Sequence, residues 1–136
     1  SITGVYTVLV EGDDLSDPIA DAVRAILDGH IILSRNLAER GHFPAVDLPR
    51  SVSRVMSDVA SPERIMIAQR ARELIATHRE VEDLLAIGAY KRGSVPRLDE
   101  ALARMPQLEG FLRQRSSDTT SPDELERMLH QIWANS

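Results

Sequence analysis

Gly41-His42-Phe43-Pro44-Ala45-Val46-Asp47, followed by Ser51-Val52-Ser53-Arg54-Val55-Met56, is the stretch around which this chain is organised. Before it, short apolar runs alternate with helical patterns; after it, only helical periodicity remains. Phe43 lies between Gly41, a helix stop, and Pro44, so its ring is expected on a rigid loop rather than a helix face. A flat ring on a fixed loop can stack on a planar base, and it can equally plug a core. Arg54 is flanked by small hydroxyl residues. Its permanent charge and planar fork of donors suit a phosphate, although a lone arginine after a serine also reads as a solvated surface group.

Toward the N-terminus, Val5-Tyr6-Thr7-Val8-Leu9-Val10 is nearly continuous apolar and β-branched sequence, the pattern of a strand covered on both faces. Glu11-Gly12-Asp13-Asp14 breaks it; these carboxylates could face a metal at a sheet end or form a solvated turn. Asp17 is placed to cap a helix with Pro18 at its first position and Ile19, Val23, Ile26 and Leu27 as its apolar face. Gly29 is placed to stop it. His30-Ile31-Ile32-Leu33 reads as a second buried strand, and residues 34–40 as a short helix. Strand, helix, strand, helix is a fragment of an α/β fold with parallel strands, too small for a whole doubly wound domain. Its strands need sheet neighbours from outside this chain. The chain opens on Ser1 and runs almost at once into a strand pattern, so a cut through a longer protein is expected, with the missing part upstream.

Toward the C-terminus, Ser57-Asp58-Val59-Ala60-Ser61-Pro62 forms a polar hinge, which divides the chain into residues 1–60 and a helical domain of residues 61–136. Ser61 caps a helix with Pro62 and Glu63 in its first turn. Ile67, Ala71, Leu74, His78, Val81 and Leu85 recur at helical spacing, carrying that helix to about Ile87 with His78 as a packed histidine. After a loop over residues 88–96, Leu98, Ala101, Leu102 and Met105 mark one helix. Leu108, Phe111 and Leu112 mark another beyond Pro106. Ser121-Pro122-Asp123-Glu124 is a capping box for a last helix with Leu125, Met128, Leu129, Ile132 and Trp133 on its apolar face.

Composition narrows the function. The 136 residues carry a net charge of −5, which argues against a general nucleic-acid binder. There are no cysteines, so no disulfide and no thiolate metal site, and no apolar run long enough to span a bilayer. His30, His42, His78 and His130 are scattered without metal spacing. Gly88 and Gly93 have the spacing of a phosphate-binding loop, but no Lys follows the second glycine and Val95-Pro96 intervenes, so that reading is rejected.

The quoted stretches resemble the end of the catalytic domain of the rotary-ATPase superfamily, most closely the type III export ATPases and among them the flagellar ones. So do Ser1-Ile2-Thr3-Gly4, Tyr6-Thr7-Val8-Leu9-Val10-Glu11-Gly12-Asp13-Asp14, Asp17-Pro18-Ile19-Ala20-Asp21, Leu27-Asp28-Gly29-His30-Ile31-Ile32-Leu33-Ser34-Arg35 and Ile87-Gly88-Ala89-Tyr90. The resemblance covers about residues 1–115. It implies the end of a RecA-like P-loop ATPase domain that lacks the P-loop itself, followed by an all-α C-terminal domain.

By the same resemblance, the full-length parent hydrolyses ATP with Mg²⁺ in a homohexameric ring and so drives type III protein export. It works in the cytoplasm at the base of the flagellar or type III export apparatus. Phe43 matches the aromatic that stacks on adenine, and Arg54 the arginine finger that reaches the γ-phosphate in the neighbouring subunit. Phe111 is a second candidate wall of the adenine pocket, its position equally suiting core packing. Tyr90, Lys91 and Arg92 match the loop that faces a stalk-like coiled-coil protein. Export chaperones and an export gate are the further partners implied, nucleic acid is not one, and membrane association would run only through the upstream region. The P-loop, the Mg²⁺-binding aspartate and the water-polarising glutamate of the family all lie upstream, so the fragment alone is expected to bind no cofactor and to be inactive. Two other readings remain: a helical module that docks a chaperone, substrate or stalk protein, and the virulence rather than the flagellar branch of export.

Overall fold

In the computed structural model, which describes residues 2–10 and 17–134, helix α1 (Pro18–Ile26) starts where Asp17 and Pro18 place it. Asp17 Oδ1 accepts from the Ile19 and Ala20 amides at 2.9 and 3.0 Å, satisfying two donors that a helix start leaves open. The inward side of α1 is Ala20, Val23 and Arg24; Ile19 and Ile26 of the expected apolar face point to solvent. The helix ends at Leu27, and Gly29 lies in a strand instead of stopping the helix.

Strand β1 (Gly29–His30) pairs with β2 (Val52–Ser53), Gly29 opposite Ser53 and His30 opposite Val52. The same two segments meet again at a bridge between Leu33 and Val46, where Ser34 N–H donates to the Ala45 carbonyl and Asp47 N–H to the Ile32 carbonyl, each at 2.8 Å. Both pairings are antiparallel, so the parallel arrangement expected for this half does not occur among the described residues. Residues 2–10 form no strand, and Val5 and Leu9 are 92% and 94% exposed. A strand is completed by hydrogen bonds to a neighbour's edge, and no described segment supplies one to residues 5–10. The run at 30–33 is likewise not buried on both faces: Ile31 and Leu33 are exposed while Ile32 is half-buried. The carboxylates of residues 11–14 lie outside the described residues.

Gly29 is required by close approach. A Cβ there would stand 2.6 Å from the Val52 carbonyl oxygen and 3.2 Å from Ser53 Cα, both backbone atoms that cannot rotate away. Gly29→Ala should therefore separate β1 from β2 and destabilise the chain by about 1–3 kcal/mol, the usual cost of overpacking. Hydrogen exchange is the check: faster exchange at the Arg54 amide, which donates to the Asp28 carbonyl at 2.7 Å, is expected. Unchanged protection there would show that the approach is dispensable.

Helix α2 (Arg35–Glu39) is capped by Ser34 and precedes Gly41, whose φ of +69° turns the chain out of the helix. Beyond the short α3 (Met56–Val59), the chain is helical. In α4 (Pro62–Ala86), Ser61 Oγ accepts the Arg64 amide at 3.3 Å, and Ile67, Ala71, Leu74 and Val81 are buried as their spacing predicts. Leu85 is exposed. Helix α5 (Pro96–Leu112) runs through Pro106 without a break, where two helices were expected. Pro106 lacks an amide and its ring crowds the preceding turn, which costs about 3 kcal/mol. The helix survives because Leu98, Ala101, Met105, Leu108 and Leu112 form one continuous inward stripe across the proline, with Ala101 and Leu108 fully buried. Ser121 Oγ accepts the Glu124 amide at the start of α6 (Pro122–Ala134).

The core lies among α4, α5 and α6, where Ala71, Leu74, Ile75, Ala101, Leu108 and Ile132 pack together. The last helix is held by polar contacts as well. Arg104 donates to the Ile132 carbonyl, and the Arg70 guanidinium lies 5.2 Å from the centre of the Trp133 ring. Arg64 joins Glu126 at 2.8 Å.

Candidate functional site

The 41–54 stretch is where the two halves meet, and its loop is fixed by groups that local sequence patterns do not reveal. Arg72 of α4 donates to the Leu48 carbonyl at 2.7 Å and to the Ser51 carbonyl at 3.0 Å. One turn pair further along α4, Arg79 lies 3.5 Å from the buried Asp47 carboxylate. Ser51 Oγ donates to the Asp47 carbonyl at 2.7 Å and accepts the Ile32 amide at 3.0 Å, tying the turn to the strand segment. Leu48 packs against the helical core. The end of α5 holds the other side: Gln114 N–H donates to the Phe43 carbonyl at 2.9 Å, and Arg113 Nε to His42 Nδ1 at 3.5 Å. A signal was available in part, since Arg72 and Arg79 are seven residues apart and so share one helix face.

Within this frame Phe43 presents its ring outward. It is 56% exposed, while His42 and Ala45 on either side are 7% and 9% exposed. The Phe43–Pro44 peptide is cis. At 56% exposure the ring is not a core plug; His42, Ala45 and Asp47 are the buried residues of this loop. Phe111 packs against the helical core beside Leu112 and Met105. Arg54 is exposed, with Nη1 3.1 Å from the Ala25 carbonyl and Nη2 3.1 Å from the Arg24 carbonyl, so its fork caps the C-terminal end of α1. Phe43 is linked to the end of α5 and Arg54 to the end of α1, and the structure does not bring the two side chains into one cluster.

A cleft of about 330 Å³ opens behind the loop, between α2, α4 and α5; His42, His78, Arg79, Glu82 and Glu109 are among its walls. His78 is largely covered, as expected of a packed histidine, with Nδ1 3.5 Å from the Glu82 carboxylate. His42 is pushed below its ordinary pKa of 6.5, first by burial and then by the nearby Arg113 and Arg40, with Glu109 opposing. The folded chain thus resists a proton that the unfolded chain accepts, and stability rises with pH where this holds. His42 should cost stability as pH falls through 6.5, and His42→Asn should flatten that part of the profile. Urea midpoints from pH 7.5 to 5.5 for both proteins check this; parallel profiles would contradict it.

The third candidate group sits at the far end of the α4–α5 pair. Tyr90 Oη donates to Asp99 Oδ1 at 2.7 Å, and the Gly93 amide donates to both Asp99 oxygens at 3.0 Å. These donors hold the Asp99 carboxyl below the usual carboxylate range, the Gly93 amide contributing most. Desolvation, the Asp99 hydrogen bond and the Asp99 charge push Tyr90 up to about 12. Lys91 and Arg92 are exposed at the tip. Among the described residues, no three or more His, Asp or Glu side chains converge to hold a metal, and no helix is long and apolar enough to cross a membrane.

The structure thus joins a minimal strand pair, with an outward-facing loop aromatic, to an all-α unit. Two family models match accordingly. The ATP synthase alpha/beta family, nucleotide-binding domain, matches residues 1–53, and the T3SS EscN ATPase C-terminal domain matches residues 60–131. The chain belongs to the type III secretion ATPase family that the second model describes. It is 48% identical over 99% of its length to the flagellum-specific ATP synthase of Bacillus subtilis, and 49% identical over 97% of its length to the SPI-2 type 3 secretion system ATPase of Salmonella typhimurium. It spans only 31% and 30% of those proteins. The assembled ATPase EscN from the enteropathogenic E. coli type III secretion system superposes with a TM-score of 0.91 at 44% identity, over 97% of this chain and 32% of that one. EscN in complex with its central stalk EscO superposes with a TM-score of 0.79 at 42% identity, over 85% of this chain and 28% of that one.

Proposed function

We propose that this chain is the C-terminal portion of an ATPase that energises type III protein export, and that it supplies two groups to a nucleotide site built mostly by upstream sequence. The observation that carries this is the Phe43 ring, exposed on a loop whose backbone is pinned from α4 and α5. An aromatic held out on a fixed loop loses little entropy on stacking against adenine. Phe111 belongs to the helix whose end fixes that loop, and it forms the second wall only if the core beside it opens onto the base.

Arg54 acts across a subunit boundary as the arginine finger of a homohexameric ring. Its guanidinium is at the surface with two neutral carbonyl acceptors, and a γ-phosphate would be a stronger, charged acceptor for the same fork. Mg²⁺ accompanies ATP in the full-length parent, but the residues described here do not fit a metal site, so no step is assigned to it. Lys91 and Arg92, exposed on the loop before α5, face a stalk-like coiled-coil partner; EscN, a relative, is known in complex with its central stalk EscO. Export chaperones and the export gate are further partners, and the site of action is the cytoplasmic base of the export apparatus. Identities to a flagellar and a virulence relative, 48% and 49%, favour neither branch.

Calorimetric titration of the isolated chain with Mg-ATP tests the division of labour. Neither tight binding nor hydrolysis is expected until the upstream domain is joined. Micromolar binding that depends on Phe43 would overturn it.

A further inference from the structure

We infer that Asp99 is the positioning residue of the partner-binding loop: by clasping Tyr90 and Gly93 it holds Lys91 and Arg92 outward as a preformed two-cation grip for an acidic helical partner. The inference rests on the reading of this loop as a partner surface and adds what shapes it. Two observations carry it. First, one carboxylate collects three short contacts, from Tyr90 Oη at 2.7 Å and from the Gly93 amide at 3.0 Å to each oxygen. These contacts lie on both sides of Lys91 and Arg92, so they fix the two ends of the tip. Ser94 closes it further, its amide and hydroxyl donating to the Lys91 carbonyl at 3.1 and 2.6 Å. Second, neither Lys91 nor Arg92 makes an ion pair or side-chain hydrogen bond among the described residues, whereas Arg97 nearby is paired with Glu80 at 2.7 Å. The two tip cations are therefore held in place by backbone and form no direct side-chain contact, Arg92 feeling the Asp99 charge only at longer range, in a chain whose net charge is −5. Carboxylates one helical turn apart on a partner helix match such a pair.

The experiment uses the full-length ATPase and a fluorescein-labelled, alanine-based helical peptide with glutamate at every fourth position, with its lysine counterpart as control. Lys91→Ala with Arg92→Ala should lower the association rate and flatten its salt dependence. If that double variant binds as well as the parent, the loop reading itself is wrong and the inference falls with it. Tyr90→Phe leaves the charge unchanged, so its salt dependence should be that of the parent while dissociation speeds up about three- to ten-fold, the cost of ordering the tip only on binding. Asp99→Ala, which removes the Oδ1 that accepts both Tyr90 and Gly93, decides by sign. It makes the loop more positive, so a merely electrostatic patch would bind the acidic helix more tightly, whereas a preformed grip binds it more weakly. Loss of binding in the double variant with parent-like or tighter binding in both Tyr90→Phe and Asp99→Ala would overturn the clasp and leave the loop reading standing. Tyr90→Phe, which removes only a hydroxyl, keeps the test valid should Asp99→Ala fold poorly.

Discussion

Arg54→Ala in the full-length ATPase should lower turnover by about 10³–10⁵, the range for an arginine finger that meets charge developing on the transferred phosphoryl group. Nucleotide binding should be nearly unchanged, because the finger proposed for Arg54 acts on charge that develops only in the transition state. The substitution also removes the two hydrogen bonds to the Arg24 and Ala25 carbonyls, so about 1 kcal/mol of local stability is at stake as well. Arg54→Lys separates the two effects. An ammonium can still bond a helix-end carbonyl but cannot reproduce the planar two-donor contact, so it should restore stability and not turnover. Mixing Arg54→Ala subunits with subunits carrying a dead phosphate-binding loop gives the sharper measurement. Some interfaces then join an intact finger to an intact site, and partial activity should return. Full turnover in Arg54→Ala, or no recovery in a confirmed mixed ring, would reduce Arg54 to a cap on α1.

Phe43→Ala should act in the opposite way, raising KM with little change in kcat, since stacking on adenine is similar in ground and transition states. Base–aromatic stacking contributes about 1–3 kcal/mol, which corresponds to roughly a 5- to 150-fold rise in KM. Stability should hardly move, because the ring is largely exposed while the backbone contacts of its loop come from Gln114 and the flanking residues. Phe43→Tyr keeps the stacking face and should preserve KM. A fall in kcat with unchanged KM, or a large loss of stability, would mean that the ring supports the fold instead of the base. Steady-state kinetics and a urea melt on the same preparations distinguish these outcomes.

The elements that sequence alone determined are those whose causes lie within one turn of the chain. Asp17 with Pro18 and Ser61 with Pro62 start helices because a side-chain oxygen three residues from an open amide needs no tertiary partner. The 67–81 spacing placed one face of α4 inward for the same local reason, and Gly41 put Phe43 on a loop. Even the candidate residues Phe43 and Arg54 were legible as types suited to a base and a phosphate.

Tertiary structure decided everything that depends on a second segment. Residues 5–10 have strand composition but no strand, because a strand is half of a pair. Pro106 did not break α5, because core contacts on both sides of it outweigh one lost hydrogen bond. The outward turn of Phe43 was set by Arg72, Gln114 and the burial of His42, contacts between residues dozens of positions apart that leave no periodic trace. Asp99 lies in the first turn of α5, and only folding brings Tyr90 and Gly93 onto its carboxylate, contacts that no helical periodicity announces.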